Sequence, residues 1–404
     1  MVIFLSERKG WHMTISHPAK VKNVLASGID SLVISMNIEW KDESVFAVLD
    51  EYKNKAIEYS VDFQGNIKHF KQEEVFPFTI KPHGTKGFSW ILTGADFTYK
   101  IANSTTPNSR PNGMIEFRSE ALWRLGPADV LQIALSILEA NGAHIIETKL
   151  SRVDLCLDFI MPENRWSQDL TDYAVTRATD IGTYKKNNKL TGIRIGKGVI
   201  SARLYDKPLE IQQQSKKVWM FDIWGIQEVP PEKKIIRIEF QMRREVLKEL
   251  GLKTAEDLFQ KIDQAWAYCT ENWLKFQDRP GLHHTQRSTF QWYEEIQNGF
   301  QGAQGAEPLV REKAVCVDKK RLMQQINGCM ISVHAINQEE KGADRNETVS
   351  IDDCLNSCSN EIKRNSPKPE EITDKVIRKR SKYHREKPPV EEGQTLYMLR
   401  RNEE

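Results

Sequence analysis

Arginines, carboxylates, a lysine and a tyrosine fall at most of the alternate positions in three short stretches of this chain. In residues 151–159, Arg152, Asp154, Cys156 and Asp158 alternate with Val153, Leu155, Leu157 and Phe159. In 199–207, Ser201, Arg203, Tyr205 and Lys207 alternate with Ile200, Ala202 and Leu204, and in 235–243, Arg237, Glu239, Gln241 and Arg243 alternate with Ile236, Ile238, Phe240 and Met242. A fourth stretch, 113–120, adds Glu116 and Arg118 opposite Ile115 and Phe117. Successive side chains of a strand point to opposite faces, so each stretch has one apolar and one polar face. Two readings of the polar faces are open. They are the wet side of an antiparallel sheet laced with salt bridges, or they gather oxygen ligands for a hard cation, guanidiniums for phosphate and a phenol for nucleophilic attack. In the second reading Asp154, Asp158, Glu239 and Glu116 are the metal candidates. Asp154 and Asp158 lie about 13 Å apart along an extended strand, so both reach one ion only if the strand bends. Ion pairs to Arg152 and Arg237 are the competing role.

Positioning these faces requires strands, and SLVISMNIEW (31–40), GMIEFRSE (113–120) and the other three stretches have the β-branched and aromatic composition of strands. Helices are expected at Pro127–Ala140, with proline near its first turn and Gly142 beyond its end, and at Ala255–Phe276 behind a Thr254 cap. The mixture predicts an α+β fold, a mainly antiparallel central sheet whose apolar face is covered by helices. No internal repeat is visible. GIRIGKG (192–198) lacks the spacing and following helix of a phosphate loop and reads as a hairpin turn that aims Arg203 and Tyr205. Lys185, Lys186, Lys189, Arg194 and Lys197 around it form either a solvated loop or a basic grip on DNA.

The chain has 404 residues, and of its 36 Phe, Trp and Tyr only Tyr383 and Tyr397 lie beyond position 300. We therefore expect an N-terminal extension (1–28), the folded core domain ahead of position 300 (29–300), a linker with a helix over Arg321–Ile336 (301–338), and a largely disordered tail (339–404). Residues 363–387 hold ten basic against four acidic residues. Mobile cations of this kind either stay solvated or contact phosphates. Over the whole chain Lys plus Arg (58) nearly balance Asp plus Glu (56), which leaves the net field uninformative. Six scattered cysteines lack the spacing of a zinc site, and no run approaches the roughly 20 apolar residues of a membrane span. The opening MVIFLSERKGWH lacks the order of a secretory signal, so a cytoplasmic protein is expected.

The segment TGIRIGKGVISARLYDKPLEI, with IDSLVISMN, MIEFRSEAL, RVDLCLDF and RIEFQMRREV in that order around it, resembles the replication initiation factor family (Rep_trans type) of rolling-circle plasmid and phage initiators and MobT-like relaxases of conjugative elements. The resemblance spans about residues 29–300. It implies a sequence-specific DNA nicking and joining enzyme in which Tyr205 attacks a phosphodiester and keeps the 5′ phosphate. Arg203 and Lys207 flank that tyrosine, and Arg152, Arg237 and Arg243 join them as the expected phosphate and DNA contacts. It further implies Mg2+ or Mn2+ on Asp154, Asp158 and Glu239, with Glu116 as a further candidate, DNA as partner, a homodimer, and a host helicase of the PcrA/UvrD type. The alternative from another class is an origin-binding or operator-binding regulator without chemistry. His283 and His284 are adjacent, and no His-hydrophobe-His triplet occurs among the nine histidines, which argues against a histidine-clamped metal.

Overall fold

The computed structural model describes residues 23–69, 74–107, 110–226, 228–229, 232–278, 283, 286–300, 303, 305–311, 319–342, 348–364 and 368–383. The chain divides into two compact units, Met1–Glu312 and Lys313–Glu404. The first unit is built on one antiparallel sheet of eleven strands. In chain order these are β1 (Val24–Trp40), β2 (Phe63–Lys68), β3 (Val75–Ile80), β4 (Trp90–Thr93), β5 (Phe97–Ile101), β6 (Gly113–Phe117), β7 (Ala143–Pro162), β9 (Ile181–Lys186), β10 (Lys189–Ile195), β11 (Ile200–Asp206) and β12 (Lys233–Arg243). A small second sheet pairs β8 (Ala174–Thr176) with β13 (Leu274–Phe276). The α+β expectation with an antiparallel sheet holds, and all five anticipated strands are present.

The order across the large sheet is β2-β3-β4-β5-β6-β1-β7-β12-β11-β10-β9. The two longest strands, β1 and β7, pair at the centre. From β1 the chain goes to one edge and returns as a meander ending in β6; from β7 it goes to the other edge and returns ending in β12. The two halves thus repeat one path, and both closing strands carry the triplet Ile-Glu-Phe (Ile115-Glu116-Phe117 and Ile238-Glu239-Phe240) ahead of a helix. The absence of a repeat read from sequence is corrected here: the duplication lies in strand path, and three shared residues are too few to register as periodicity.

Alternation decides where the core sits. Val153, Leu155, Leu157, Ala202, Leu204, Ile236, Ile238, Phe240 and Met242 are fully buried in the main core, together with residues of α1 (Ser44–Tyr59) and α3 (Pro127–Ala140) and the helices after β12. The bounds of α3 are those its proline and glycine indicate, with Gly142 at φ +85°. Thr254 forms a capping box with Asp257 at the start of a helix Ala255–Gln260. The single helix expected to Phe276 is not formed. Lys261 leaves the helical region, Ile262–Ala267 and a wide turn Tyr268–Trp273 follow, and the chain then extends into β13. Leu274 and Phe276 point inward with Lys275 partly exposed, a period-two pattern that packs as strand.

Among the described residues no single helix is long and apolar enough to cross a membrane. The described cysteines Cys156, Cys269, Cys329, Cys354 and Cys358 are free thiols. In the second unit the expected helix extends over Lys319–Lys341. Within the segment expected to lack order, Ile351–Arg364 and Pro369–Tyr383 are helical, and residues 384–404 lie outside the described ones. Ile351, Cys354, Leu355, Cys358 and Ile362 recur at helical spacing, and His334 Nδ1 lies 2.7 Å from Ser357 Oγ.

Candidate functional site

Directly opposed residues of antiparallel strands point to the same face. The register of β9 to β12 with β7 and β1 therefore lines up the polar alternations into rows across the sheet. One row reads Tyr184, Gly192, Tyr205, Arg237, Asp158, Ala26. The next reads Gly182, Arg194, Arg203, Glu239, Cys156, Gly28. A third joins Ser201, Gln241 and Asp154, and a fourth joins Arg243, Arg152, Val33 and Glu116. Three stretches separated in sequence thus share one face, as their spacing implies.

Part of this face is not wet. Ala26, Trp123, Cys156, Ile211, Met220, Trp224 and Ile235 form a second apolar cluster upon it, contributed in part by α2 (Ser119–Leu125) and by the short helix Met220–Trp224. Gly28 makes room for the cover, since a Cβ there would lie 3.2 Å from the Trp123 ring. Beneath the cluster Arg237 and Asp158 are 0% exposed. Arg237 binds Asp158 through Nε at 2.6 Å and NH2 at 2.7 Å, and Trp224 Nε1 donates to Asp158 Oδ2 at 2.9 Å. Its remaining nitrogen, NH1, donates to Asp30 Oδ1 at 2.7 Å. Asp30 falls where the β1–β7 register shifts, between Ile29 and Ser31, and it also accepts from Ser119 Oγ at 2.8 Å. Burial alone would raise the Asp30 carboxyl, but Arg237, Lys217 and Lys207 outweigh it and hold it well below the usual carboxylate range.

Beyond the cover the face opens into a cleft of about 570 Å3 lined by Tyr184, Gly192, Arg203, Tyr205 and Glu210 among others. Tyr205 Oη donates to Glu239 Oε2 at 2.9 Å. Arg203 NH2 binds Glu239 Oε1 and lies 3.3 Å from Asp154 Oδ2. Arg152 grips Asp154 through Nε at 2.8 Å and NH2 at 2.5 Å. Asp154 and Glu239 are buried, whereas Arg203 and Arg152 keep about two-fifths of their side chains open to solvent. Burial pushes Glu239 up to about 7, with Arg203 opposing and Asp30 and Asp154 reinforcing the rise. Burial followed by the Glu239 charge raises the Tyr205 phenol well above its ordinary value, with Arg237 opposing.

The other expected residues have different surroundings. Lys207 is not on the strand; it opens the short helix Lys207–Glu210 capped by Asp206, its side chain is 1% exposed, and its ammonium binds Glu210 at 2.6 Å and lies 5.5 Å from the Tyr205 ring centroid. Burial lowers its pKa, with Arg237 adding to the effect. Glu116 binds Lys100 at 2.5 Å, and Arg243 is exposed at the end of β12. Asp30 and Trp224 were not singled out from sequence, whereas Glu210 belongs to the segment around Tyr205 that carries the resemblance. The one signal for Asp30 was a carboxylate inside the apolar run IDSLVISM.

No group of three His, Cys, Asp or Glu side chains among the described residues could by itself hold a metal ion. The donor set that comes closest is Asp154 with Glu239, which share the Arg203 guanidinium. Two carboxylates fit Mg2+ or Mn2+ when phosphate oxygens and waters supply the remaining ligands. The oxygens of Asp154 are bonded by Arg152 and Arg203, those of Glu239 by Arg203 and Tyr205 and those of Asp158 by Arg237 and Trp224, so each of the three would exchange a partner to take an ion; Asp158 is sealed beneath the apolar cover, and Glu116 stands apart on Lys100.

No family model matches the chain, and no curated protein matches it. Among solved structures, the chain is similar to one described as a rolling circle replication initiator protein from Geobacillus stearothermophilus, with 12% identity, a TM-score of 0.40, and coverage of 71% of this chain and 98% of the other.

Proposed function

We propose that the protein is a DNA nicking and joining enzyme that starts rolling-circle replication or conjugative transfer at an origin, with Tyr205 as nucleophile. The observation that carries this reading is the Tyr205–Glu239 hydrogen bond beside a cleft lined by Arg203, Lys185 and Lys186. A phenol whose proton is held this firmly needs a base in contact, and a carboxylate raised to about 7 is suited to that task near neutral pH. As Tyr205 Oη forms its bond to phosphorus, its proton passes to Glu239 Oε2 and the bond to the 3′ oxygen breaks, that oxygen taking a proton from solvent water to leave as the free 3′ hydroxyl. The 5′ phosphate stays on the tyrosine as a diester, which conserves bond energy for rejoining. Arg203 and Arg152 present partly exposed guanidiniums to the phosphate oxygens, where charge accumulates in the transition state. Asp154 holds both arginines in place. Asp154 is the residue that would hold Mg2+ or Mn2+, in exchange for an arginine contact, and the ion would polarise the phosphoryl oxygens while Glu239 stays free as the base. Arg237, locked between Asp158 and Asp30, positions the row that holds Tyr205 and keeps its charge near the phenol. Lys207, through its contact over the ring, orients Tyr205. DNA is the expected partner, and a homodimer and a host helicase belong to the same reading.

The test uses supercoiled DNA carrying the gene with its flanking sequence, incubated with the protein and magnesium or manganese. Nicked circles and SDS-resistant protein on DNA are expected, absent with EDTA and in Tyr205→Phe, which keeps its DNA affinity. A Tyr205→Phe variant that nicks at the unaltered rate overturns the assignment. Metal-independent binding without any adduct, over all segments of the parent element, favours the regulator.

A further inference from the structure

The row that contains Tyr205 continues past it to the sheet edge, where the proposed chemistry leaves two residues without a role. β9 is the last strand of the sheet, and its hairpin with β10 turns through Asn187 and Asn188, both at positive φ (49° and 60°), the signs of a type I′ turn. On this hairpin Tyr184 is 54% exposed although it lines the cleft. Its hydroxyl accepts from Arg194 Nε at 3.2 Å, and Arg194 is held in turn by Asp180 at 2.8 Å. The ring is therefore oriented and still uncovered. Gly192 lies between the two tyrosines in the register, opposite Tyr184 on one side and Tyr205 on the other. Its φ is not positive, so turn geometry does not demand glycine. A Cβ there would lie 3.3 Å from the Leu204 carbonyl oxygen, a tight approach, and 3.4 Å from Tyr205 Cβ and 3.6 Å from Tyr184 Cδ2, in the gap between the two rings. The two tyrosines are two strand spacings apart, roughly 10 Å, with a floor of bare backbone between them.

We propose that Tyr184 is a stacking platform for a nucleobase beside the phosphate that Tyr205 attacks, and that Gly192 is kept bare so that the single strand can pass between the two rings. The inference rests on the nicking reading and adds to it a single-stranded binding subsite. Stacking on an exposed aromatic is sequence-tolerant because every base has a π face, and a held ring loses little freedom when a base settles on it. Lys186, two residues along the same strand and also in the cleft, supplies a cation for the adjoining phosphate.

The experiment measures binding of a short single-stranded oligonucleotide carrying one 2-aminopurine, moved through successive positions, by anisotropy and by quenching of the base's fluorescence. The unaltered protein and Tyr184→Phe are expected to quench at one and the same position, with Tyr184→Phe, which keeps the ring but loses the Arg194 contact, binding less weakly than Tyr184→Ala. Tyr184→Ala should bind about tenfold more weakly, within the range measured for loss of one stacked base, and lose that quenching. Gly192→Val should weaken binding similarly while Tyr184 is intact. Equal binding and quenching by Tyr184→Ala overturns the platform and leaves the nicking reading standing. Tyr184→Phe failing along with Tyr184→Ala overturns stacking in favour of the hydroxyl. No single-strand binding by the unaltered protein overturns both readings.

Discussion

Glu239 is the residue on which the proposed chemistry turns, because burial moves its titration to about 7. Only the ionised form accepts the Tyr205 proton, so the nicking rate is expected to climb as pH rises through about 7 and then level off. Glu239→Gln should lower the rate by about 10²–10⁴-fold and flatten that profile, measured as initial nicking rates over a pH series. An unchanged pH profile in the variant removes Glu239 from the role of base. The same group affects stability with a definite sign. Its folded pKa lies above its unfolded value of about 4.5, so the native state binds the proton more tightly than the unfolded state. The stability it contributes is fully present below the unfolded pKa and is lost as pH rises to about 7. Chemical unfolding of the unaltered protein should show that decline, and Glu239→Gln should lack it. Asp30 acts oppositely: its pKa is depressed, so its contribution is present above the usual carboxylate range and lost as pH falls below it.

At the scale of elements, the central event is the tie that Arg237 makes among β12, β7 and β1 through Asp158 and Asp30. Removing the guanidinium leaves Asp158 beneath an apolar cover without a cation and Asp30 with only Lys217 in ion-pair range. Arg237→Met is expected to cost about 3–5 kcal/mol, the range for breaking a buried pair, read from denaturant unfolding. A loss under about 1 kcal/mol contradicts the tie. The hairpin that aims Arg203 and Tyr205 was legible in GIRIGKG because Gly196 and Gly198 adopt φ of +81° and +107°, a conformation suited to glycine. The break at Lys261 was not legible. Its apolar residues suit helix and strand alike over short spans, and packing against the sheet decided between them.

At the scale of the whole molecule, the core and the candidate site both belong to Met1–Glu312. Lys313–Glu404 includes the basic run 363–387, rich in cations and poor in acidic residues. A chain ending after Glu312 is expected to keep its unfolding midpoint and its nicking chemistry. If the basic run contacts phosphates, the truncated chain should bind DNA more weakly at low salt, with a shallower dependence on salt concentration. Identical salt slopes for the two chains identify the run as a solvated surface.

The sequence by itself determined the strands, their polar and apolar faces, the cap of α3 and the hairpin glycines, because these depend on side-chain alternation and local backbone preference. It also determined that Tyr205, Arg203 and Glu239 belong to polar faces. Only the tertiary structure decided which of them meet. Cross-strand register placed Glu239 against Tyr205 and enclosed Asp158 with Arg237, and the bulge in β1 brought in Asp30 from more than a hundred residues away. Register between distant strands is set by how the whole apolar face packs on its helices, so no local pattern can disclose it. The same holds for the cluster around Trp123 and Trp224, which covers part of the polar face and leaves the cleft beside Tyr205 open.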